Sequence, residues 1–555
     1  MHAVAQGRRD RAGVDASTGD EALGHRRALA LAALTLLALG LRVTHLGRSL
    51  FTDETYSLAL AQRGFGHMLG LFGYEANGTP YPIVLWPLIR VFGTSEAVLR
   101  IPAVLAGTAS VPALWWAAKR LGYRDAVALG AAALLAVNPM AVWYSQEARP
   151  YAFVVLAACL GFGALPRALE QNRTQARVGY VAAMALLGYC DLLALPIALP
   201  AQLLVARRAG KDGMRRWLWS LVAVLVCCIP LLLAATIARG RRNALYWLPK
   251  LSRSLVEGAV QEFTGGLSGV SAVRWVTVLA VVVLLATAWW YGRKTALSKL
   301  AVPAWWGLAP PALLLAVSAV QPVFWPRYAI LALPGLCLLV AEAAGQLWEA
   351  KRSRAVTAAT AVAAACLAAI VMAGLVGDIK QQSVLQENWP PAVAWLRAER
   401  KPREAVVVDN ALVLPSLGYY DPALRAGDGV AVVQEWRDRP LPAGFVGYKD
   451  RTGYGSVPVG PPSVANFKEL ARRGGGLWLV VSEVDERLQG GDPSTGAAMA
   501  WARRNCQVSG RASVGVSIFH ITGCSVSNTV EAGRASAGSG PPSSASMTSP
   551  KNQGM

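Results

Sequence analysis

"GTPYPIVLWPLIRVFG", residues 78–93, decides which way every later segment of this chain faces. It is apolar like a membrane span, yet it is short and carries Pro80, Pro82 and Pro87. A span needs roughly 20 residues to cross about 30 Å of hydrocarbon, and proline inside a helix costs about 3 kcal/mol. We therefore read the stretch as a half-embedded, re-entrant part of one long outer loop, residues 47–97. Reading it as a full span would swap the side of every loop that follows.

The distribution of positive charge favours the first reading. Apolar segments of spanning character fall at about 27–46, 97–118, 126–143, 152–169, 178–190, 192–206, 217–238, 273–291, 300–320, 328–348 and 355–376. With 78–93 left out of the count, "KRLGYR" (119–124), "RALEQNRTQAR" (167–177), "RRAGKDGMRR" (207–216), "GRKTALSK" (292–299) and "EAKRSR" (349–354) all lie on the inner side. That is the positive-inside pattern. The expectation is a polytopic α-helical membrane protein of about 11 transmembrane helices. Residues 1–26 form a basic cytoplasmic segment with no cleavage pattern of a signal peptide, and the chain from 377 onward is extracytoplasmic.

Composition agrees. Of 555 residues 54% are hydrophobic and only 16% charged, with a mean hydropathy of +0.37, too apolar for a soluble multidomain protein. The net charge of +21 sits mostly in short clusters between apolar runs, which argues against nucleic acid as a partner. No Walker loop or dinucleotide glycine pattern is present, and His2, His25, His45, His67 and His520 are scattered without zinc-ligand spacing.

Beyond residue 377 the composition becomes that of a soluble α/β domain, 377–524. "PPAVAWLRAER" (390–400) reads as a helix; "EAVVVDN" (404–410), "GLWLVVS" (476–482) and "VGVSIFHIT" (514–522) read as strands. Cys506 and Cys524 flank the last of these regions and form a disulfide candidate if the domain is outside the cell. The other cysteines lie in apolar runs as inert small hydrophobes. Residues 525–555, rich in Ser, Gly, Ala and Pro, read as a disordered tail.

On this topology polar groups collect at the outer face: Asp53, Glu54, Glu75, Glu96 and Arg100 in and after the first loop; Gln146, Glu147 and Arg149 in "YSQEARPY" (144–151); then Asp191, and Arg327 with Tyr328. Charge at membrane depth is costly and usually faces water or a partner. Adjacent residues on a helix point about 100° apart, so only one of Asp53 and Glu54 can aim at a substrate. Asp53 reads as a general base and Glu54 as its support. The equal alternative is a helix start, with Thr52 or Asp53 capping and Glu54 favouring the positive end. Arg149, placed before Pro150, could grip a phosphate with Glu147 orienting it, or the two could form a plain loop salt bridge. Arg327 stands between Trp325 and Tyr328, either as a phosphate ligand or as a snorkelling member of an aromatic belt.

The ordered runs "GRSLFTDETYS" (47–57), "PYPIVLW" (80–86), "FGTSEAVLRIPAVLAG" (92–107), "NPMAVWYSQEARPYAF" (138–153) and "PRYAILALPG" (326–335) resemble the GT-C membrane glycosyltransferases. Within them the likeness is to the family 39-like group of protein O-mannosyltransferases and lipid A aminoarabinose transferases. Together with the spans it covers about 27–376. The resemblance implies a polyprenyl-phosphate-linked sugar donor, a lipid, glycan or protein hydroxyl as acceptor, and inversion at the anomeric carbon. It implies Asp53 as catalytic base beside Glu54. Glu75, Arg100, Gln146, Glu147, Arg149, Asp191, Arg327 and Tyr328 would serve donor or acceptor. Where many relatives carry a His-Pro-Pro signature this chain reads "NGTPYP" (77–82), so no His or metal role carries over. No cofactor is assigned, and a divalent cation near Asp53 and Glu54 stays open. The rival readings are a lipid or sugar transporter (a flippase without transferase activity) and a sensor whose outer domain does the binding. All place the chain in the plasma membrane.

Overall fold

A computed structural model describes residues 24–66, 68, 80–233, 248–266, 278, 282, 299–350, 369, 371–380, 387–408, 413–424, 430–432, 470–471, 475–482, 493–513 and 515–524. Glu75, His67, Cys366, nearly all of the 273–291 segment, much of the 355–376 segment and the 525–555 tail lie outside the described residues.

Among the described residues five helices are long and apolar enough to cross a membrane: Gly24–Arg42, Glu96–Arg120, Tyr151–Ala168, Lys299–Ser318 and Pro326–Trp348. Glu96 opens the second of these and Lys119 and Arg120 close it, so its end charges complement the helix dipole. The decisive 78–93 stretch forms a helix, Pro80–Phe92, of 13 residues. At 1.5 Å per residue it is about 20 Å long, short of a bilayer core.

Close approach between the spans rests on small residues. A side chain at Gly163 would strike Trp116, and one at Gly107 would strike Ser145. Phe162 stacks on Trp306 with ring centroids 3.9 Å apart, which ties the Tyr151–Ala168 helix to Lys299–Ser318.

Two expectations are corrected. The segment read as one span over 126–143 is two helices, Asp125–Val137 and Pro139–Tyr144. Asn138 leaves the helical conformation and its Oδ1 accepts the Ala141 N–H at 2.9 Å, while Pro139 cannot continue the preceding hydrogen-bond ladder. The stretch between the apolar segments at 217–238 and 273–291, where the sequence pattern gave no element, contains a helix among its described residues, Arg253–Gly265, capped by the Ser252 hydroxyl.

Among the described residues the C-terminal unit forms a five-stranded mixed sheet. Ala405–Val408 (β1) lies between Val430–Val432 (β2) and Gly476–Ser482 (β3), parallel to both. Val516–Thr522 (β5) runs antiparallel to β3 and to Gln507–Ser513 (β4), giving the order β2-β1-β3-β5-β4. β3 is apolar and buried throughout because both faces are covered. Trp478 and Val480 pack with Val406 and Val408 against the helix Trp389–Glu399. Leu477 and Leu479 pack with Val407 against Pro493–Asn505. Cys506 and Cys524, at the edge of the β4–β5 hairpin, are joined as a disulfide.

Candidate active site

The helix Thr52–Gln62 carries the adjacent pair Asp53 and Glu54 in its first turn, and the structure separates them. Glu54 points inward and is fully buried. Its two oxygens take a bidentate grip from Arg100, Nε to Oε1 at 2.8 Å and Nη2 to Oε2 at 2.6 Å. The N–H of Ala148 donates to Oε1 at 2.7 Å and the N–H of Phe51, the N-cap residue, to Oε2 at 3.1 Å. Burial alone would push the Glu54 carboxyl up, but Arg100 and the other donors more than offset it and hold it below the usual carboxylate range. Glu54 thus ties the start of this helix to Arg100 and Ala148.

Arg100 is corrected as a ligand for donor or acceptor. A guanidinium has five N–H donors, and here they serve Glu54 twice and the carbonyls of Leu46, Arg48 and Ser49 at 2.8–3.0 Å. It has no donor left for a phosphate. Gln146 is corrected in the same way. Its amide donates to Leu41 O at 2.9 Å and to Thr44 O at 3.0 Å, while its oxygens accept from Arg48. Buried Arg42 donates to Ser145 Oγ at 3.1 Å and to the Ala136 carbonyl at 2.9 Å. These contacts fasten the "YSQEARPY" turn to the end of the first span.

That fastening brings Arg149 to Asp53. The Asp53 side chain is 29% exposed; Arg149 Nη2 stands 3.8 Å and Arg327 Nη2 3.6 Å from its Oδ2. Both spacings exceed hydrogen-bond length, so the pairing is Coulombic. Arg149 is delivered by Pro150, which starts the Tyr151–Ala168 helix. Arg327 is delivered by Pro326, which starts the 3-10 turn Pro326–Ala332, and its guanidinium lies 5.6 Å from the Tyr151 ring centre and 6.0 Å from that of Tyr328. Three stretches remote in sequence therefore converge on one carboxylate.

Glu147 and Asp191 sit close by but buried. Trp143 Nε1 donates to Glu147 Oε1 at 2.8 Å. Burial, then the charge of Glu54, raises the Glu147 carboxyl to about 7 against the pull of Arg48 and Arg327. Asp191 accepts the Leu193 N–H at 3.0 Å, is raised to about 6 by burial, and lies within electrostatic reach of Tyr328.

Glu262 escaped the sequence reading. It shares the buried side of the Arg253–Gly265 helix with Ala259, three residues away, and receives the Tyr144 hydroxyl at 2.5 Å. Burial raises it to about 7, with Glu147 and Asp378 adding and Arg327 opposing. A carboxylate on the apolar stripe of a Ser-capped helix was the available signal. Among the described residues no three His, Cys, Asp or Glu side chains gather as a metal site.

Residues 80–233 match the family model described as dolichyl-phosphate-mannose-protein mannosyltransferase. No curated protein matches the chain. Among solved structures, ArnT from Cupriavidus metallidurans in the apo state aligns at a TM-score of 0.55 and 13% identity, over 90% of this chain and 98% of that one. The same protein bound to undecaprenyl phosphate aligns at 0.53 and 14%, over 89% and 97%. The Archaeoglobus fulgidus oligosaccharyltransferase in its apo form aligns at 0.50 and 11%, over 87% and 73%. The resemblance to GT-C membrane glycosyltransferases of the family 39-like group is borne out by that family match and by the shared fold.

Proposed function

We propose that this chain is an inverting glycosyltransferase, moving a sugar of the mannose kind from a polyprenyl-phosphate donor to an acceptor hydroxyl at the extracytoplasmic face. The observation that carries the reading is the partly exposed Asp53 carboxylate flanked by the guanidiniums of Arg149 and Arg327. The family match and the undecaprenyl phosphate bound by the ArnT of similar fold support a lipid-linked donor.

In this reading the acceptor oxygen attacks the anomeric carbon from the face opposite the phosphate. Its proton passes to an Asp53 oxygen, the new C–O bond forms, and the bond from the sugar to the phosphate breaks with its electron pair. Negative charge grows on the departing polyprenyl phosphate. Arg149 and Arg327, oriented before the reaction by their prolines, meet that charge without reorganising. Glu54 and Arg100 hold the helix that carries the base. Tyr328, Asp191 and Glu147 would line the donor or acceptor side, and the membrane spans would receive the polyprenyl tail. The Cys506–Cys524 disulfide supports an oxidising, extracytoplasmic setting for the sheet unit.

The test supplies the protein in nanodiscs with polyprenyl phosphates carrying labelled mannose, arabinofuranose or aminoarabinose, together with a cell-envelope extract as acceptor. Release of polyprenyl phosphate in step with labelled product of inverted configuration is expected for one donor. Passage of intact donor across the bilayer of sealed proteoliposomes made from the same protein, without cleavage, would instead establish the transporter reading.

A further inference from the structure

We propose that the C-terminal sheet unit sets the aim of Asp53, with Glu387 as a positioning residue; the inference rests on the glycosyl-transfer reading above. Glu387 lies 335 residues from Thr52, the first residue of the Asp53 helix, and its carboxylate closes the contact between them. Glu387 Oε2 accepts the Thr52 N–H at 3.0 Å and the Thr52 hydroxyl at 2.7 Å. The same oxygen accepts Trp389 Nε1–H at 2.8 Å, and Oε1 accepts the Ser482 hydroxyl at 3.1 Å. Trp389 opens the first helix of the sheet unit and Ser482 ends its central strand. One buried carboxylate therefore joins the frame of the sheet to the first turn of the Asp53 helix. The first N–H groups of a helix lack partners within it, and a negative group there is favoured by the dipole. In this fold that group comes from the distant domain.

Neighbouring contacts repeat the arrangement. Tyr420 Oη accepts the Leu50 N–H at 2.6 Å, the Trp389 N–H donates to Ser49 Oγ at 3.1 Å, and the hydroxyls of Thr55 and Ser416 are 2.8 Å apart. On a helix turning about 100° per residue, positions 52 and 55 lie about 60° apart, on one side. That side is held by the sheet unit. Glu54, about 200° on from Thr52, is held by Arg100 and Ala148 of the membrane domain. Asp53 projects between the two clamps, toward Arg149 and Arg327. With both neighbours of Asp53 gripped from opposite sides, the direction of its carboxylate is fixed before substrate arrives.

A misplacement of about 1 Å can cost roughly a hundredfold in rate. The expected signature of losing the Glu387 clamp is therefore a fall in kcat with little change in donor KM. The experiment uses the full chain in nanodiscs, with the donor that gives transfer and undecaprenyl phosphate as a binding probe. Thr52→Ser keeps the hydroxyl and is expected within about twofold of wild type; Thr52→Val is expected to lose about threefold to tenfold in kcat, and Glu387→Gln about tenfold to a hundredfold. Undecaprenyl phosphate binding should be unchanged in all three. The double variant Glu387→Gln with Thr52→Val should be no slower than Glu387→Gln alone, because both remove one contact. If Glu387→Gln does not fold, the Thr52→Val and Thr52→Ser pair decides. A kcat within about twofold of wild type in Thr52→Val and Glu387→Gln, or a loss carried by KM alone, overturns the positioning role while leaving the transferase reading intact. Full activity in Asp53→Asn would remove that reading, and this inference with it.

Discussion

Asp53 and Glu54 are adjacent in sequence and occupy opposite environments: Asp53 is 29% exposed between two guanidiniums, and Glu54 is fully buried in the grip of Arg100. The helix turn that separates them also separates their surroundings.

That division predicts opposite outcomes for two similar substitutions. Arg100→Met leaves a buried carboxylate without its cation, and breaking a buried pair in this way costs about 3–5 kcal/mol. The protein should lose thermal stability and monodispersity in detergent. Asp53→Asn removes no hydrogen-bonded pair and should leave the melting temperature within a few degrees of wild type. Equal stability of the two variants would contradict the separation.

Glu147 predicts a pH dependence. Its carboxyl is raised to about 7, so below that pH it is mostly neutral and above it mostly charged. The groups that face it include Glu54, Arg48, Arg100 and Arg327, with Trp143 donating to it and Glu262, Tyr144 and Tyr151 in electrostatic reach. Once ionised, Glu147 competes with the donor phosphate for Arg327. Donor KM should therefore rise as pH passes upward through about 7, and Glu147→Gln, locked in the neutral form, should flatten that rise. The linkage to stability has the same sign, because a carboxyl raised in the folded state binds more protons there than in the unfolded chain between its two pKa values. Its contribution is fully present below the ordinary glutamate range and is lost as pH climbs to about 7. An unchanged KM profile in Glu147→Gln would exclude the competition.

The orientation can be read from Cys506 and Cys524. Cells treated with N-ethylmaleimide before lysis should yield protein whose two cysteines resist labelling until a reductant is added. Removing the bridge by Cys506→Ala should destabilise the sheet unit by about 2–4 kcal/mol. Free, readily labelled thiols in untreated cells would place the unit in the cytoplasm.

Much of the fold could be read from local pattern. Hydropathy at spanning length, prolines in the 78–93 stretch and basic clusters are all features of contiguous residues, as are the β-branched runs at 405–408 and 476–482. The break at Asn138–Pro139 was also written in the sequence, but apolar residues on both sides masked it as one span. Partnerships were not legible. Nothing near Arg100 says that its five donors serve Glu54 and three carbonyls 46 to 54 residues away. Nothing near Glu387 points to Thr52, and nothing near Glu262 points to Tyr144, 118 residues distant. The Asp53, Arg149 and Arg327 constellation could be named from motifs, whereas its supporting residues are set by tertiary contact.

The most direct measurement is single-turnover transfer by Asp53→Asn, made beside undecaprenyl phosphate binding on the same preparation. Loss of a general base predicts a rate lower by roughly 10²–10⁴-fold with binding retained. Transfer at close to the wild-type rate would contradict the account.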